Sequence, residues 1–335
     1  MKQIALKYAL SDRPNADDFT LVDAPAPPCP DGGVVLRVVH LSLDPYIGSR
    51  LRGRHMGEPA PAPMIAPIPG GVVGQVIESR TAAFAPGDWA HSTEGAWAEQ
   101  VALPGHAARK LDPRLAPLGA HAGVLGMPGL TAWAGITQLA QVRPGDVVLV
   151  DAAAGAVGGA AGQIARAMGA KKVIGVAGGP QKCALVEEIY GFDVCIDYRA
   201  PHWEDALDAA CAGSPPSVHF ENVSVAMLTA ALVRMAPYGR AILCGLVDQY
   251  HASAPPPQIP AGLIIGKRAQ LHGLVVYDFY PRWSEYIAWA APLLKTGQLR
   301  FQEDRVTGLQ NAPALFGKLM RGDNVGKAVV TVSAE

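Results

Sequence analysis

Residues 147–165 read VVLVDAAAGAVGGAAGQIA, an apolar run followed by a segment made almost entirely of glycine and alanine. The apolar run predicts a buried strand, and the segment after it predicts a tight turn that opens a closely packed helix. Gly155 and Gly158 match the last two glycines of the GxGxxG dinucleotide-binding pattern, with Ala153 at the first position. In that pattern Gly155 lets the backbone approach a pyrophosphate, and Gly158 lets the helix pack on its strand. Close packing alone would also explain the small residues, so the stretch by itself leaves both interpretations open.

The next predicted strand, 173–177, bears on which dinucleotide would bind. An NAD site has Asp or Glu near the end of this strand, where the carboxylate binds the ribose 2′-hydroxyl. Here the strand runs into Gly178-Gly179-Pro180-Gln181-Lys182, which contains no acid. A 2′-phosphate would repel an acid, and it would gain about 1.5–3 kcal/mol from a charge-assisted hydrogen bond to Lys182. The pattern therefore favours NADP(H), although Lys182 also fits an ordinary exposed helix position.

Strand and helix patterns alternate from about residue 122 onward. A helix is predicted from near Leu130 to Ile136, ahead of the first strand. Such alternation builds right-handed crossovers and a doubly wound, mostly parallel sheet, so the predicted fold class is α/β. The strand candidates are 147–150, 173–177, 194–196, 217–221 and 241–245.

The rest of the chain predicts a small, mostly-β domain. The α/β alternation stops near residue 296, and the tail after it ends in one more strand. We therefore expect a nucleotide-binding domain at 122–295, inserted into a domain formed by 1–121 and 296–335. The strand candidates outside the α/β region are 34–39, 71–77, 97–102 and 328–332, and the proline-rich runs 59–69 and 255–260 predict loops.

Bulk composition excludes several classes of function. Of 335 residues, half are hydrophobic and 17% are charged, and the net charge is -1, which favours a globular protein without affinity for nucleic acid or an anionic membrane. The start lacks the apolar region of a signal peptide, and no apolar run is long enough to cross a membrane. The five cysteines are scattered and odd in number, which favours a reducing compartment. We expect a cytoplasmic protein.

Five stretches of the chain carry a family resemblance. They are LSLDPY at 41–46, GMPGLTAW at 126–133, AAAGAVGGAAGQIA at 152–165, GFDVCIDY at 191–198 and GDNVGKAVV at 322–330. With these stretches the sequence resembles the zinc-free branch of the medium-chain dehydrogenases/reductases, and within it the group of prostaglandin, alkenal double-bond and curcumin reductases. The resemblance implies a doubly wound Rossmann sheet inserted into a mostly-β GroES-like domain, NADP(H) as cofactor and a homodimer.

The resemblance also implies the residues that contact the cofactor. Small residues such as Gly178 would leave room for the 2′-phosphate. Many of the implied residues follow the ends of successive predicted strands, which is where an open α/β sheet binds its ligand. Turn or core roles remain the alternative for several of them. The implied contacts are Gly155, Ala156, Val157 and Gly158 at the pyrophosphate, Lys182 and Tyr198 at the adenosine phosphate, and Asn222, Cys244, Gly245, Leu246, Val247, Leu274, Val275, Val276 and Asn324 toward the ribose and nicotinamide.

No metal site is expected. Zinc-dependent alcohol dehydrogenases of the same superfamily use a Cys and a His of the first domain for the catalytic metal. The corresponding stretch here, 69–74, reads PGGVVG and contains neither residue, and four clustered cysteines are absent as well.

Without a metal, reduction of a C=C bond conjugated to a carbonyl requires fewer catalytic groups from the protein than oxidation of an alcohol. Tyr250 and Tyr46 are the candidate hydrogen-bond donors to the carbonyl oxygen, and a small hydrophobic enone is the candidate substrate. Val223-Ser224-Val225 replaces the two glycines that the family has after Asn222, and His251 replaces the Asn that usually follows the tyrosine. Two alternatives stay open, a zinc-free NADPH quinone oxidoreductase and a protein of this fold that binds NADPH without turnover.

Overall fold

The chain leaves one folding unit after Gly126 and returns to it at Glu303. The computed structural model describes residues 1–249 and 258–335. The first unit consists of Met1–Gly126 and Glu303–Glu335, and the second of Met127–Gln249 and 258–302. The architecture is a Rossmann-type α/β unit inserted in sequence into a mostly-β unit, as the sequence predicts.

The first unit is built mainly from antiparallel strands. Its elements before the insertion are β1 Lys2–Leu6, β2 Phe19–Asp23, β3 Gly33–Ser42, α1 Ile47–Arg50, β4 Gly71–Ser79, β5 Trp89–Ser92, β6 Gln100–Pro104 and β7 Arg109–Leu111.

A long central strand organises this unit. Strand β3 pairs with β4 along its whole length and with β6, and all but one of its residues are buried. A strand buried on both faces reads as a near-continuous apolar run, as GVVLRVVHLS does. Phe19, Trp97 and Phe316 pack their rings together in the core beside it.

The insertion alternates strands with helices. Its elements are α2 Met127–Trp133, β8 Val147–Val150, α3 Ala156–Ala167, β9 Lys172–Ala177, α4 Pro180–Ala184, β10 Val194–Asp197, α5 Trp203–Cys211, β11 Val218–Glu221, α6 Val225–Arg234, β12 Arg240–Leu243, α7 Ala261–Lys267, β13 Gln270–Gly273 and α8 Trp283–Lys295.

The strands of the insertion form a parallel sheet in the order β10-β9-β8-β11-β12-β13. The order reverses at β8, from which the chain first runs outward to β9 and β10 and then crosses back to β11. Ligands of open α/β sheets bind at the carboxyl ends of the strands on either side of such a switch point. The carboxyl ends of β8 and β11 therefore mark where a site is expected.

The tail returns to the first unit as β14 Glu303–Thr307, α9 Ala312–Met320 and β15 Lys327–Thr331. Strand β15 pairs antiparallel with β3, placing Val330 opposite Leu41, and β14 pairs parallel with β15. The sheet of this unit then runs β14-β15-β3-β4-β5-β7. The segment after the insertion is thus joined to the segment before it through one sheet, because β15 lies beside β3.

Two local predictions need correction. The helix predicted from near Leu130 begins at Met127, and after Trp133 it continues as a π-helix over Ala134–Leu139. The strand predicted at 97–102 begins only at Gln100. The carbonyl of the buried Trp97 accepts from the Ile4 amide, and its amide donates to the Ile68 carbonyl, so this residue is bonded to segments other than β3. Among the described residues, no helix is both long and apolar enough to span a membrane.

Candidate active site

The turn between β8 and α3 has the shape that a pyrophosphate-binding loop requires. Ala152 adopts a left-handed conformation, with φ at 47°, and its carbonyl oxygen accepts a 2.8 Å hydrogen bond from the Gly155 amide. A Cβ on Gly158 would overlap that carbonyl oxygen, so only glycine allows the helix to approach the turn this closely. Helix α3 begins at Ala156, and the amides of its first turn have no partner within the helix. Such amides and the helix dipole favour an anion in general, and the binding of a pyrophosphate at this turn stays a prediction.

The other glycines of the same run serve packing. A Cβ on Gly159 would overlap the Tyr190 ring, and one on Gly162 would overlap the Phe192 ring. Gly155 differs, because a Cβ there would meet only the Ala152 oxygen at 3.1 Å. Packing therefore explains Gly159 and Gly162, and pyrophosphate binding at Gly155 and Gly158 stays a prediction.

The end of β9 brings a glycine, a tyrosine ring and a lysine into one region of the inserted unit. Gly178 is buried, and a Cβ there would lie 2.9 Å from Tyr198 Cε1, so the Tyr198 ring lies close to this glycine. Lys182 follows on α4, half-buried. Asp197, at the end of the neighbouring strand β10, is directed to backbone: its Oδ1 accepts from the amides of Gly179 and Arg199 at 2.7 and 2.9 Å.

Arg199 is a basic residue of this region that the sequence analysis missed. Its Nε would lie 2.9 Å from a Cβ on Gly178, and its guanidinium lies 5.9 Å from the centre of the Tyr198 ring. The sequence does show a basic residue directly after Tyr198, which could have indicated Arg199. Its proximity to Gly178 depends on the pairing of β9 with β10, which the sequence does not display.

The loops after β11, β12 and β13 hold most of the remaining predicted cofactor residues. Asn222 is buried, and its side-chain amide donates a 2.9 Å hydrogen bond to the Asp151 carbonyl. The Cys244 amide donates to the Glu221 carbonyl, and that of Leu274 donates to the Leu243 carbonyl. Cys244, Gly245, Leu246, Val247 and Val276 are half-buried, Leu274 is buried and Val275 is exposed.

A buried polar cluster lies at the carboxyl ends of β8 and β11. His219 Nε2 is 2.9 Å from Asp151 Oδ2 and 3.7 Å from Glu221 Oε2, and all three side chains are at most 2% exposed. Glu221 Oε1 accepts hydrogen bonds from the amides of Val223 and Ser224 at 2.5 and 2.7 Å. We call Asp151, His219 and Glu221 the Asp–His–Glu cluster. Its donor atoms lie within 4.8 Å of one another.

Burial governs the protonation of this cluster. Burial, reinforced by the charge of Asp151, raises the pKa of Glu221 to about 9, and burial also raises the pKa of Asp151. Burial lowers the pKa of His219, so the imidazole is neutral. Burial and the nearby Glu221 carboxylate raise the pKa of the Cys244 thiol to about 12. At neutral pH Glu221 is therefore a neutral acid, because two adjacent buried carboxylates cannot both be ionised without cost.

The first unit carries Tyr46 and Asn324. Tyr46 is half-buried at the start of α1, with its ring centre 5.1 Å from that of His55. Asn324 is buried, and its side-chain amide donates a 2.7 Å hydrogen bond to the Gly326 carbonyl, which is a turn interaction. Their predicted roles in catalysis and cofactor binding stay predictions. Tyr250 lies outside the described residues, and the expectation of no metal also stays a prediction.

Comparison with known proteins places the chain in a family. A family model described as a zinc-binding dehydrogenase matches residues 156–292, and one described as the N-terminal domain of an oxidoreductase matches residues 2–111. The NADP-dependent 2-alkenal reductase of Nicotiana tabacum is 35% identical, over 100% of this chain and 98% of that protein. The chain belongs to the zinc-free medium-chain dehydrogenases/reductases.

Two further members of this family match over nearly their full length. The NADPH-dependent curcumin reductase of Escherichia coli strain K12 is 33% identical over 100% of this chain and 99% of that protein. Prostaglandin reductase 1 of Bos taurus is 34% identical over 98% of each chain. The crystal structure of CurA from Vibrio vulnificus in complex with NADPH covers all of both chains, with a TM-score of 0.91 and 33% identity.

Proposed function

We propose that this protein is an NADPH-dependent reductase of the C=C bond of α,β-unsaturated aldehydes and ketones. The observation that carries the proposal is the full-length match, at 33–35% identity, to reductases named for 2-alkenals, curcumin and prostaglandins. Two of these names specify NADP or NADPH. Solved quinone oxidoreductases match at 17–23% identity, which supports a common fold alone.

The dinucleotide end of the site supports NADPH on geometric grounds. The turn from Ala152 to Gly155 and the start of α3 offer backbone amides to a pyrophosphate, and Gly158 allows their close approach. Lys182, Tyr198 and the buried Gly178 suit a 2′-phosphate, since the neighbouring Asp197 is directed to backbone amides. A site for NAD would instead carry an acid at the end of β9.

The chemistry divides between cofactor and protein. NADPH, when bound, supplies the hydride that a conjugated C=C bond accepts at its β-carbon. The chain's own part is to hold the planar substrate, to exclude water, and to donate a hydrogen bond to the carbonyl oxygen as negative charge develops there. Tyr250 and Tyr46 are the residues we assign to that donation, because a phenol remains protonated at neutral pH.

A substrate panel tests the proposal. Loss of NADPH absorbance is followed with enals, enones and quinones, with NADH as the control cofactor, and the products are analysed by mass spectrometry. We expect saturated aldehydes and ketones, with faster turnover from NADPH than from NADH. Hydroquinone as the preferred product would instead identify a quinone oxidoreductase, and binding of NADPH without any turnover would identify a non-catalytic protein.

We further propose that the enzyme is a cytoplasmic homodimer that takes small hydrophobic substrates. The family resemblance supports the dimer, and the scattered cysteines support a reducing compartment. Light scattering of the purified chain at several concentrations tests the dimer, and a monomer at all of them would exclude it.

A further inference from the structure

The Asp–His–Glu cluster connects three loops that the proposed function assigns to the dinucleotide. Asp151 directly follows β8 and precedes the left-handed Ala152 of the turn assigned to the pyrophosphate. Glu221 ends β11, and its Oε1 accepts from the amides of Val223 and Ser224, which fixes the path of the chain between β11 and α6. Asn222 then donates to the Asp151 carbonyl, so the first two loops are held to each other.

The third loop depends on the second through backbone hydrogen bonds. The amides of Cys244 and Gly245 donate to the Glu221 carbonyl at 3.0 and 3.3 Å. The amide of Asp248 donates to the Val223 carbonyl at 3.1 Å. The loop after β12 is therefore positioned by the same residues that the Glu221 side chain holds in place.

The Asp–His–Glu cluster needs a particular protonation state to hold the loops after β8, β11 and β12 together. Glu221 faces the Asp151 carboxyl from β8, His219 from its own strand, the Cys244 thiol from the end of β12 and the amides at the start of α6. His219 Nε2 is the one ring nitrogen that contacts the two acids, and a neutral imidazole can donate one proton there. A second proton is required if both acids are not to be charged side by side. Burial raises the pKa of Glu221 to about 9 and that of Asp151 to about 7, so the proton is assigned to Glu221.

We propose that Asp151, His219 and Glu221 are positioning residues for the dinucleotide, and that loss of the Glu221 proton at alkaline pH weakens its binding. The proposal rests on the proposed function, because it assumes that NADPH binds these loops. Deprotonation places a second negative charge beneath loops that receive an anionic pyrophosphate, and it sets two carboxylates against each other where the loops are joined. If the bound phosphates raise the pKa of Glu221 by a further half to one unit, the Kd rises about three- to tenfold across the titration.

The test measures binding by the full-length chain at about pH 7 and about pH 10, on either side of the Glu221 pKa. Isothermal calorimetry gives the Kd of NADPH and of NADH for the wild type, for Glu221→Gln and for Glu187→Gln. Glutamine keeps the acceptor oxygen for Val223 and Ser224 and cannot ionise. Glu187 is the matched control, since its carboxylate also accepts from a backbone amide, that of Cys195 at 2.6 Å, away from the cluster.

We expect the wild type and Glu187→Gln to lose affinity for both dinucleotides at alkaline pH, and Glu221→Gln to bind within about twofold of the wild type at neutral pH and to lose less. Weakening of NADPH binding alone would point to Lys182 and the 2′-phosphate, and it would overturn the proposal. Equal alkaline weakening in Glu221→Gln would also overturn it. A wild type that binds neither dinucleotide at neutral pH would instead contradict the proposed function.

A second variant keeps the proposal testable if the Glu221→Gln protein does not fold. Asp151→Asn removes the neighbouring charge that raises the pKa of Glu221, so the alkaline transition should move to lower pH. Infrared difference spectra provide a direct readout, because a protonated carboxylic acid has its own carbonyl band. We expect that band in the wild type at neutral pH and not in Glu221→Gln. A stoichiometric divalent ion in the purified protein would overturn the assignment of the second proton.

Discussion

Lys327 Nζ lies 2.9 Å from Asp44 Oδ1 with both side chains buried, although 283 residues separate them in the chain. Lys327 also donates to the Leu43 carbonyl, and Asp44 Oδ2 accepts a 2.6 Å hydrogen bond from the Ser42 hydroxyl. The pair ties the LSLDPY stretch, which carries Tyr46, to the GDNVGKAVV stretch, which carries Asn324. Two of the stretches that carry the family resemblance are thus joined inside one unit.

Lys327→Met should strongly destabilise the protein. The substitution leaves the Asp44 carboxylate buried without its cation, and breaking a buried pair costs about 3–5 kcal/mol. Urea unfolding measures the change in free energy. Lys318→Met is the control, because its pair with Asp304 involves a lysine side chain that is 42% exposed, and we expect a loss below about 1 kcal/mol. If the buried charge is the cause, adding Asp44→Asn to Lys327→Met should recover part of the loss.

Lys182→Met should weaken NADPH binding without weakening NADH binding. Loss of a charge-assisted hydrogen bond to the 2′-phosphate corresponds to about a tenfold to hundredfold rise in Kd. Calorimetry with both dinucleotides measures it. Lys171→Met, at an exposed position one strand earlier, is the matched control and should change neither Kd. An equal change for NADH would remove the role assigned to Lys182.

Gly162→Ala should destabilise the inserted unit, because the added methyl group overlaps the buried Phe192 ring. Overpacking of this kind costs about 1–3 kcal/mol. The control is Gly266→Ala in α7, where a Cβ meets nothing within 4 Å. Alanine there should be neutral or should stabilise the helix by up to about 1 kcal/mol. Thermal and urea unfolding of both variants distinguish the two cases, and equal effects would contradict the packing explanation.

The free energy of unfolding should fall as the pH rises from about 7 to about 9. The pKa of Glu221 is raised in the folded state, so between its unfolded value and about 9 the folded protein binds one more proton than the unfolded chain. Stability then decreases with pH by at most about 1.4 kcal/mol per unit for this group. Urea unfolding at several pH values measures the slope. Glu221→Gln should flatten it, and an unchanged slope would show that other groups cause it.

Tyr250→Phe should lower kcat with little effect on NADPH affinity. Removal of a single hydrogen-bond donor to a developing oxyanion costs about 10²–10³ in kcat. Tyr46→Phe, compared with it, shows which of the two phenols makes the donation. Tyr238→Phe is the control, since that ring is 68% exposed and lies against Arg268. Steady-state kinetics with a 2-alkenal measures all three, and full activity of both Tyr250→Phe and Tyr46→Phe would contradict the proposed donors.

The strand and helix around the predicted nucleotide site could be predicted from the sequence because their signals are local. Strand β8 occupies the predicted residues 147–150, and the glycine pattern opens a helix directly after it. The lack of an acid between Gly178 and Lys182 could be read in the same way, since those residues are consecutive. The predicted domain limits, after residues 121 and 295, stay a prediction.

Other features could not be predicted because they depend on which strands become neighbours. Asp151 meets His219 only since β11 pairs with β8 in a register that places Leu149 opposite His219. Arg199 reaches Gly178 through the pairing of β10 with β9. The buried position of Lys327 follows from the pairing of β15 with β3, and nothing in its sequence neighbourhood distinguishes it from a surface lysine.

The sequence by itself determined the order of strands and helices, the glycine turn that precedes α3, and the preference for a phosphorylated dinucleotide. These depend on hydrophobic period, backbone freedom and charge within a few residues, which are properties of the chain before it folds. Only the tertiary structure decided that Asp151, His219 and Glu221 form a buried cluster and that Lys327 pairs with Asp44. Their chemistry arises from burial and from contact between distant segments, and both exist only once the sheets have formed.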